Sequence, residues 1–248
     1  MQSIDLILER ENKIISNFLN LKSFDLLPLP NWIDDKIVKY WDDLFFNIHY
    51  LPKISLDKQL ILPLWLDRPN KHFYRKIEEG KLKAESKELP GKWILIDARN
   101  KPPKRMPWIT CNDVRFLMKL GFNPKNYLKK KSKQQFENEY LGEILKQKGF
   151  GSRFCLSINE INELKPFILE ILKIDKNKKV RLPYFIEYNY LGNVFYKQWA
   201  TTKTWEWFED KFNNSQNLAG GSGSVGCIGW EPPEFWSTIL TFRPVIEL

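Results

Sequence analysis

Five glycines fall within ten residues in the run Gly220-Gly-Ser-Gly-Ser-Val-Gly-Cys-Ile-Gly229. Such a segment cannot sustain a helix, since each internal glycine costs roughly 1 kcal/mol of helix propensity. Its residues can instead turn through positive φ and pack closely under neighbouring loops. The run has no lysine after its glycines and opens neither a strong helix nor a βαβ unit, so it does not read as a phosphate-binding loop. An irregular, tightly packed surface is therefore expected near the carboxyl end, and the rest of the chain has to support it.

The chain has 248 residues, enough for one large domain or for a domain of roughly 150 residues with an extension. Its 10 Trp, 9 Tyr and 17 Phe argue for a packed core rather than a disordered chain. Cys111, Cys155 and Cys227 are odd in number and widely spaced, so they encode neither a disulfide framework nor a zinc site, and they suit a reducing compartment. The opening residues meet acidic side chains before any long apolar run, and no stretch approaches ~20 apolar residues. A cytoplasmic protein without a membrane span is expected. The net charge of +9 would favour loose association with nucleic acid, but much of the excess lies in Lys125–Lys133 and Lys173–Lys179, which read as solvated faces.

Apolar spacing predicts a helix in the first 30 residues, with Ile4 to Leu21 recurring at helical spacing before Pro28 and Pro30 stop it, and a second over 34–46 with Ile37, Val38, Trp41, Leu44 and Phe45 on one side. Leu60–Leu66, interrupted by Pro63, reads as an edge strand or extended packing segment. The charged stretch Arg68–Glu88 marks a domain boundary, and Gly91–Asp97 reads as the first strand of the second domain. Short helices fit 112–120 and 141–148. Ser157-Ile-Asn-Glu160 is a capping box that opens a helix carrying Leu164, Phe167, Ile168, Ile171 and Leu172, with Pro166 expected to kink or split it. Val180–Val194 reads as strands, Trp205–Phe212 as a helix capped by Thr204, and 240–248 as a final strand. The pattern as a whole is α+β.

Chemistry-bearing residues are sparse. The two histidines, His49 and His72, both lie in the N-terminal region, and the aromatic context of His49 favours packing over general-base work. No nucleophile elbow is present. Paired carboxylates such as Asp34/Asp35, Asp42/Asp43 and Glu78/Glu79 are sequence neighbours and share no helix face. Tyr184, Phe185, Tyr188, Tyr190, Phe195 and Tyr196 could stack single-stranded bases, yet Ile186, Glu187 and Asn189 stand where basic residues would be needed, so a buried face is the better reading. Neither catalysis nor a cofactor is indicated.

Five segments in a fixed order resemble the variable proteins of diversity-generating retroelements, the archaeal and small-genome bacterial members above all. They are Pro90–Asp97, Ser157–Leu172, Thr204–Glu209, Gly220-Gly221 and Phe242-Arg243-Pro244. The resemblance covers about 89–248 and implies a C-type lectin-like fold of small antiparallel sheets, two or more helices and extensive loops. Residues 1–88 would then be a mainly helical N-terminal extension. It also implies a binder rather than an enzyme, with a variable region at about 218–244 facing a target, expected to be protein, that differs among variants.

Retroelements of this kind rewrite template adenines, so residues reachable from adenine-rich asparagine codons become candidate variable positions: Cys227, Gly229, Pro232, Phe235, Ser237, Thr238 and Ile239. Glu231 and Glu234 are ambiguous and are kept with them. Trp205, Trp207, Gly220, Gly221, Trp230, Trp236, Phe242, Arg243 and Pro244 would be framework, together with Val245 and Ile246. Phe235 and Ile239 could anchor a protein partner. Glu231-Pro232-Pro233 differs from the Glu-Pro-Asn of calcium-dependent lectins by the loss of the coordinating amide, so neither metal nor sugar is expected. The competing reading is a basic protein associated with nucleic acid; the formylglycine-generating enzymes of the same fold need paired cysteines, which are absent.

Overall fold

A computed structural model describes residues 3–99, 156–237 and 239–248; the expected helices at 112–120 and 141–148, the Lys125–Lys133 run, Cys111, Cys155 and Thr238 lie outside them. Helix α1 (Ile4–Leu19) starts at Ser3, whose side chain accepts from Leu6 N, and ends at Asn20 in the left-handed region. Helix α2 (Asp35–Asp43) is capped by Asp34. Phe45 does not continue its apolar face. It leaves the helix at φ 62° and is 59% exposed.

Strand β1 (Phe46–Ser55) follows, then α3 (Lys71–Glu78), capped by Asn70, and β2 (Glu88–Asp97). The segment 60–66 forms turns, not a strand. The capping box at Ser157 is present, and α4 (Ile158–Ile171) runs unbroken through Pro166. Strand β3 (Val180–Arg181) is short, and the remainder of the expected strand region is helix α5 (Phe185–Val194). Every residue from Phe185 to Asn193 is buried, so the helix lacks the amphipathic period that would have revealed it.

Strands β4 (Trp205–Phe212), β5 (Gln216–Gly220), β6 (Ile228–Glu231), β7 (Leu240–Thr241) and β8 (Val245–Glu247) complete the chain. Trp205–Phe212 is therefore a strand rather than a helix capped by Thr204. The Asn213-Asn214 pair, with φ of 49° and 60° and a Ser215 N to Phe212 O bond of 3.2 Å, turns the chain within the three-residue connection 213–215 onto β5.

One sheet has the order β1-β2-β8-β3, antiparallel throughout; the other is β6-β5-β4-β7, with β7 parallel to β4. Along β2 the side chains alternate between two cores. Trp93 and Leu95 join the apolar residues of α1, α2 and α4, while Ile94 and Ile96 join those of α3 and α5. Helices thus cover both faces of the first sheet. The expected division at residue 88 does not hold, because β1 pairs with β2 from Phe46↔Asp97 to Ser55↔Glu88. A strand from the supposed extension builds the same sheet as the carboxyl-terminal strand β8. The architecture is mixed α+β, and among the described residues no helix is long and apolar enough to cross a membrane.

Candidate functional site

The tail crosses from the second sheet to the first through Phe242-Arg243-Pro244, and all three residues are buried. Arg243 joins the two layers. Its Nη2 donates to Glu206 Oε1 of β4 at 2.9 Å, and its Nη1 donates to the Asp97 carbonyl at the end of β2, with the Asp97 carboxylate 3.8 Å away. Its guanidinium lies 3.9 Å from the ring centroid of Trp199, which stacks between Tyr188 and Tyr196. A buried cation held on two sides by carboxylates fixes where the tail passes from one sheet to the other.

The glycine-rich run is clamped from the N-terminal region. Asp67 Oδ1 accepts from Ser224 Oγ at 2.6 Å and Oδ2 from Val225 N at 2.7 Å. Asn70 N donates to Gly226 O at 2.9 Å. On α5, Asn189 Nδ2 donates to both the Asp67 and Val225 carbonyls, and Asn193 holds the Asp67 backbone at N and O. The glycines are needed for contact as much as for turning: a Cβ on Gly226 would lie 2.0 Å from Arg68 O, and one on Gly220 would lie 2.1 Å from Cys227 O. Gly221 also holds φ +83° against the Tyr188 ring.

Beyond this clamp, β6 with Phe235, Ser237 and Ile239 walls a concavity of about 540 Å³. Its lining includes Gly229, Glu231, Phe235, Ser237 and Ile239 from the candidate variable set, and Trp205 and Trp230 from the expected framework. Trp230 is half-buried, with one face stacked on Phe212 at 4.3 Å. Phe235 is half-buried and meets Trp207 edge-on at 6.5 Å. Trp207 is fully buried and donates from Nε1 to Leu156 O at 3.0 Å, as a framework residue should. The concavity is mainly apolar, with Glu231, Ser237 and His72 as its polar members.

The expected variable positions differ in freedom. Glu234 is exposed, and Cys227, Gly229, Glu231, Pro232, Phe235 and Ile239 are half-buried. Ser237 is only 2% exposed and lies at the base of the loop, so it does not display a side chain freely. Gly229 is also constrained, because a Cβ there would lie 3.1 Å from the Trp205 ring. Both positions are corrected from displayed to supporting.

His72 on α3 reaches the same concavity from the N-terminal region, and neither it nor Asp67 is marked by any spacing in the sequence. His49, by contrast, is buried between Glu11 Oε1 at 3.0 Å and Tyr196 OH at 2.5 Å. Burial holds its pKa below the usual histidine value even though Glu11 pulls it upward, so it is a neutral structural hub. Of the aromatics considered for base stacking, Phe185, Tyr188 and Tyr190 are fully buried in α5 and Tyr196 nearly so, while Tyr184 and Phe195 are half-buried. Among the described residues no cluster of His, Cys, Asp and Glu could hold a metal ion. Comparison with protein-family models, with curated proteins and with solved structures finds no match to this chain.

Proposed function

We propose that this chain is a ligand-binding protein whose C-terminal side chains are diversified by a retroelement and displayed on a C-type lectin-like scaffold to contact a protein target. Binding would occur without turnover and without a cofactor. The observation that supports this best is that Glu231, Phe235 and Ile239 of the candidate variable set line one apolar concavity beside Trp205 and Trp230, with Gly229 and Ser237 as supporting positions in its walls. Behind it, Arg243 and the Asp67 clamp hold the backbone in place. A surface can accept new side chains only if its backbone is fixed by residues that do not change, because exposed substitutions then shift stability by less than about 0.5 kcal/mol.

The test is the DNA beside the gene. The proposal expects a near-copy of the last ~100 bases, a span set by the length of this loop and strand, differing mainly at adenines and lying beside a reverse-transcriptase gene. A copy whose differences are spread evenly over the four bases, or no copy at all, would count against it. The nucleic-acid reading is separated by salt: it requires affinity that falls steeply between 50 and 200 mM, roughly a thousandfold or more for six phosphate contacts.

A further inference from the structure

The loop between β1 and α3 carries the two most exposed large apolar side chains in the described chain, Ile61 at 82% and Leu66 at 80%. They do not belong to a slack segment. Leu62 and Trp65 between them are buried in the second core, Trp65 N donates to Leu62 O, and Trp65 Nε1 donates to Asn189 Oδ1 at 2.7 Å. The turn is thus pinned from below while Ile61 and Leu66 stand in solvent. Two aliphatic side chains held out on one pinned turn offer apolar area that gains by being covered.

The charge around this loop indicates what does. Lys58 and Arg68 bracket it in sequence, and with Lys71 and Arg75 they line a hollow of about 480 Å³, together with Pro69, Tyr74 and Glu78. Lys58 is partly engaged by Glu78, and Arg75 by Glu79 and His72. Four cations against one lining carboxylate leave the hollow positive, on a chain whose net charge is already +9. A rigid apolar tip beside a cationic hollow matches the layered chemistry of a phospholipid surface, with acyl chains beneath a plane of phosphates.

We infer that this face docks on an anionic lipid surface, Ile61 and Leu66 entering the acyl boundary while Lys58, Arg68, Lys71 and Arg75 sit among the headgroup phosphates. The contact is peripheral and reversible, and it does not depend on the reading of the C-terminal concavity. Arg75 donates to His72 Nδ1 at 2.8 Å, and His72 lines that concavity, so the two sites share one short stretch of α3.

The test is flotation of the full chain with vesicles of phosphatidylcholine alone or containing phosphatidylglycerol, at low and high salt, with and without inorganic phosphate. Floating with anionic vesicles and barely with neutral ones is expected. The double variant Ile61→Ser with Leu66→Ser loses at least about tenfold in partition at either salt. Lys71→Glu loses roughly fivefold or more at low salt and less at high salt. All three residues are exposed, so unchanged near-UV circular dichroism confirms that the variants fold. No partition into anionic vesicles, or partition indifferent to Ile61→Ser with Leu66→Ser, would overturn the inference. Full displacement by inorganic phosphate would instead assign the hollow to a soluble anion, and would equally overturn it.

Discussion

The carboxylate of Asp67 accepts a hydrogen bond from the backbone of Val225 at 2.7 Å, linking two residues 158 positions apart in the chain. Through it the N-terminal region, which sequence reasoning set aside as an extension, determines the path of the glycine-rich run. Replacing Asp67 by Ala removes the acceptor for both Val225 N and Ser224 Oγ and should cost about 1–3 kcal/mol in urea unfolding. Asp67→Asn keeps one acceptor and should cost less.

Arg243 carries a larger penalty. Its loss leaves Glu206 as a buried carboxylate without its cation and takes a donor from the Asp97 carbonyl, while the Asp97 carboxylate keeps Arg99, so Arg243→Ala should destabilise by about 3–5 kcal/mol. Changing Glu206→Gln in the same chain removes one stranded charge and should recover part of that loss. A double variant as unstable as the sum of the singles would show that the two residues do not act as a pair.

Asp210 gives the fold a pH signature. Burial raises its carboxyl to about 6, above the ordinary 3.8, against the pull of the hydrogen bond from Phe185 N. A raised carboxyl pKa means that the folded state favours the proton, so this group costs stability above pH 6, and the cost fades as pH falls from 6 towards 4. Asp210→Asn should therefore raise stability at pH 8 by about 2–3 kcal/mol, with the gain disappearing near pH 4. Glu247 works in the opposite sense: burial would raise it, but hydrogen bonds from Arg181 and Lys92 win and hold it at about 2, so its contribution is present above pH 4.5 and is lost as pH falls towards 2. Unfolding midpoints of both chains across this range check the signs.

The glycines should separate into two kinds. Gly223, at φ +70° with open space around it, should lose only about 1 kcal/mol on change to Ala. Gly220→Ala drives a Cβ into the Cys227 carbonyl and should cost several times more, at about 3 kcal/mol or above. Thermal unfolding of the two variants compares them directly.

Where a cap or a period was written locally, the fold was legible in the sequence. Ser157 with Glu160 announces α4, the apolar spacing of Ile37, Val38 and Trp41 announces α2, and the apolar run of Gly91–Asp97 opened by Pro90-Gly91 announces β2. The failures share one cause. Helix α5 is buried all round, so its aromatic-rich composition mimics a strand, and β4 is covered on both faces, so its Trp and Phe lose the alternation that marks a half-exposed strand. The Asn213-Asn214 pair is the one local signal of the β4–β5 hairpin, since asparagine tolerates the positive φ that such a turn requires. At the candidate site, the sequence marks C-terminal positions but carries no sign of their depth. The burial of Ser237 and the contact between Gly229 and Trp205 follow from β5–β6 pairing and loop geometry that spacing alone does not contain.

The direct test of a fixed scaffold carrying interchangeable side chains is a saturation scan of the tail with stability read by protease resistance. At Glu231, Pro232, Glu234, Phe235 and Ile239, most substitutions should shift stability by less than about 1 kcal/mol, whereas nearly all changes at Trp207, Gly220 and Arg243 should exceed 2 kcal/mol. Equal intolerance at the two sets would mean that the walls of the concavity are ordinary core, and would contradict the account.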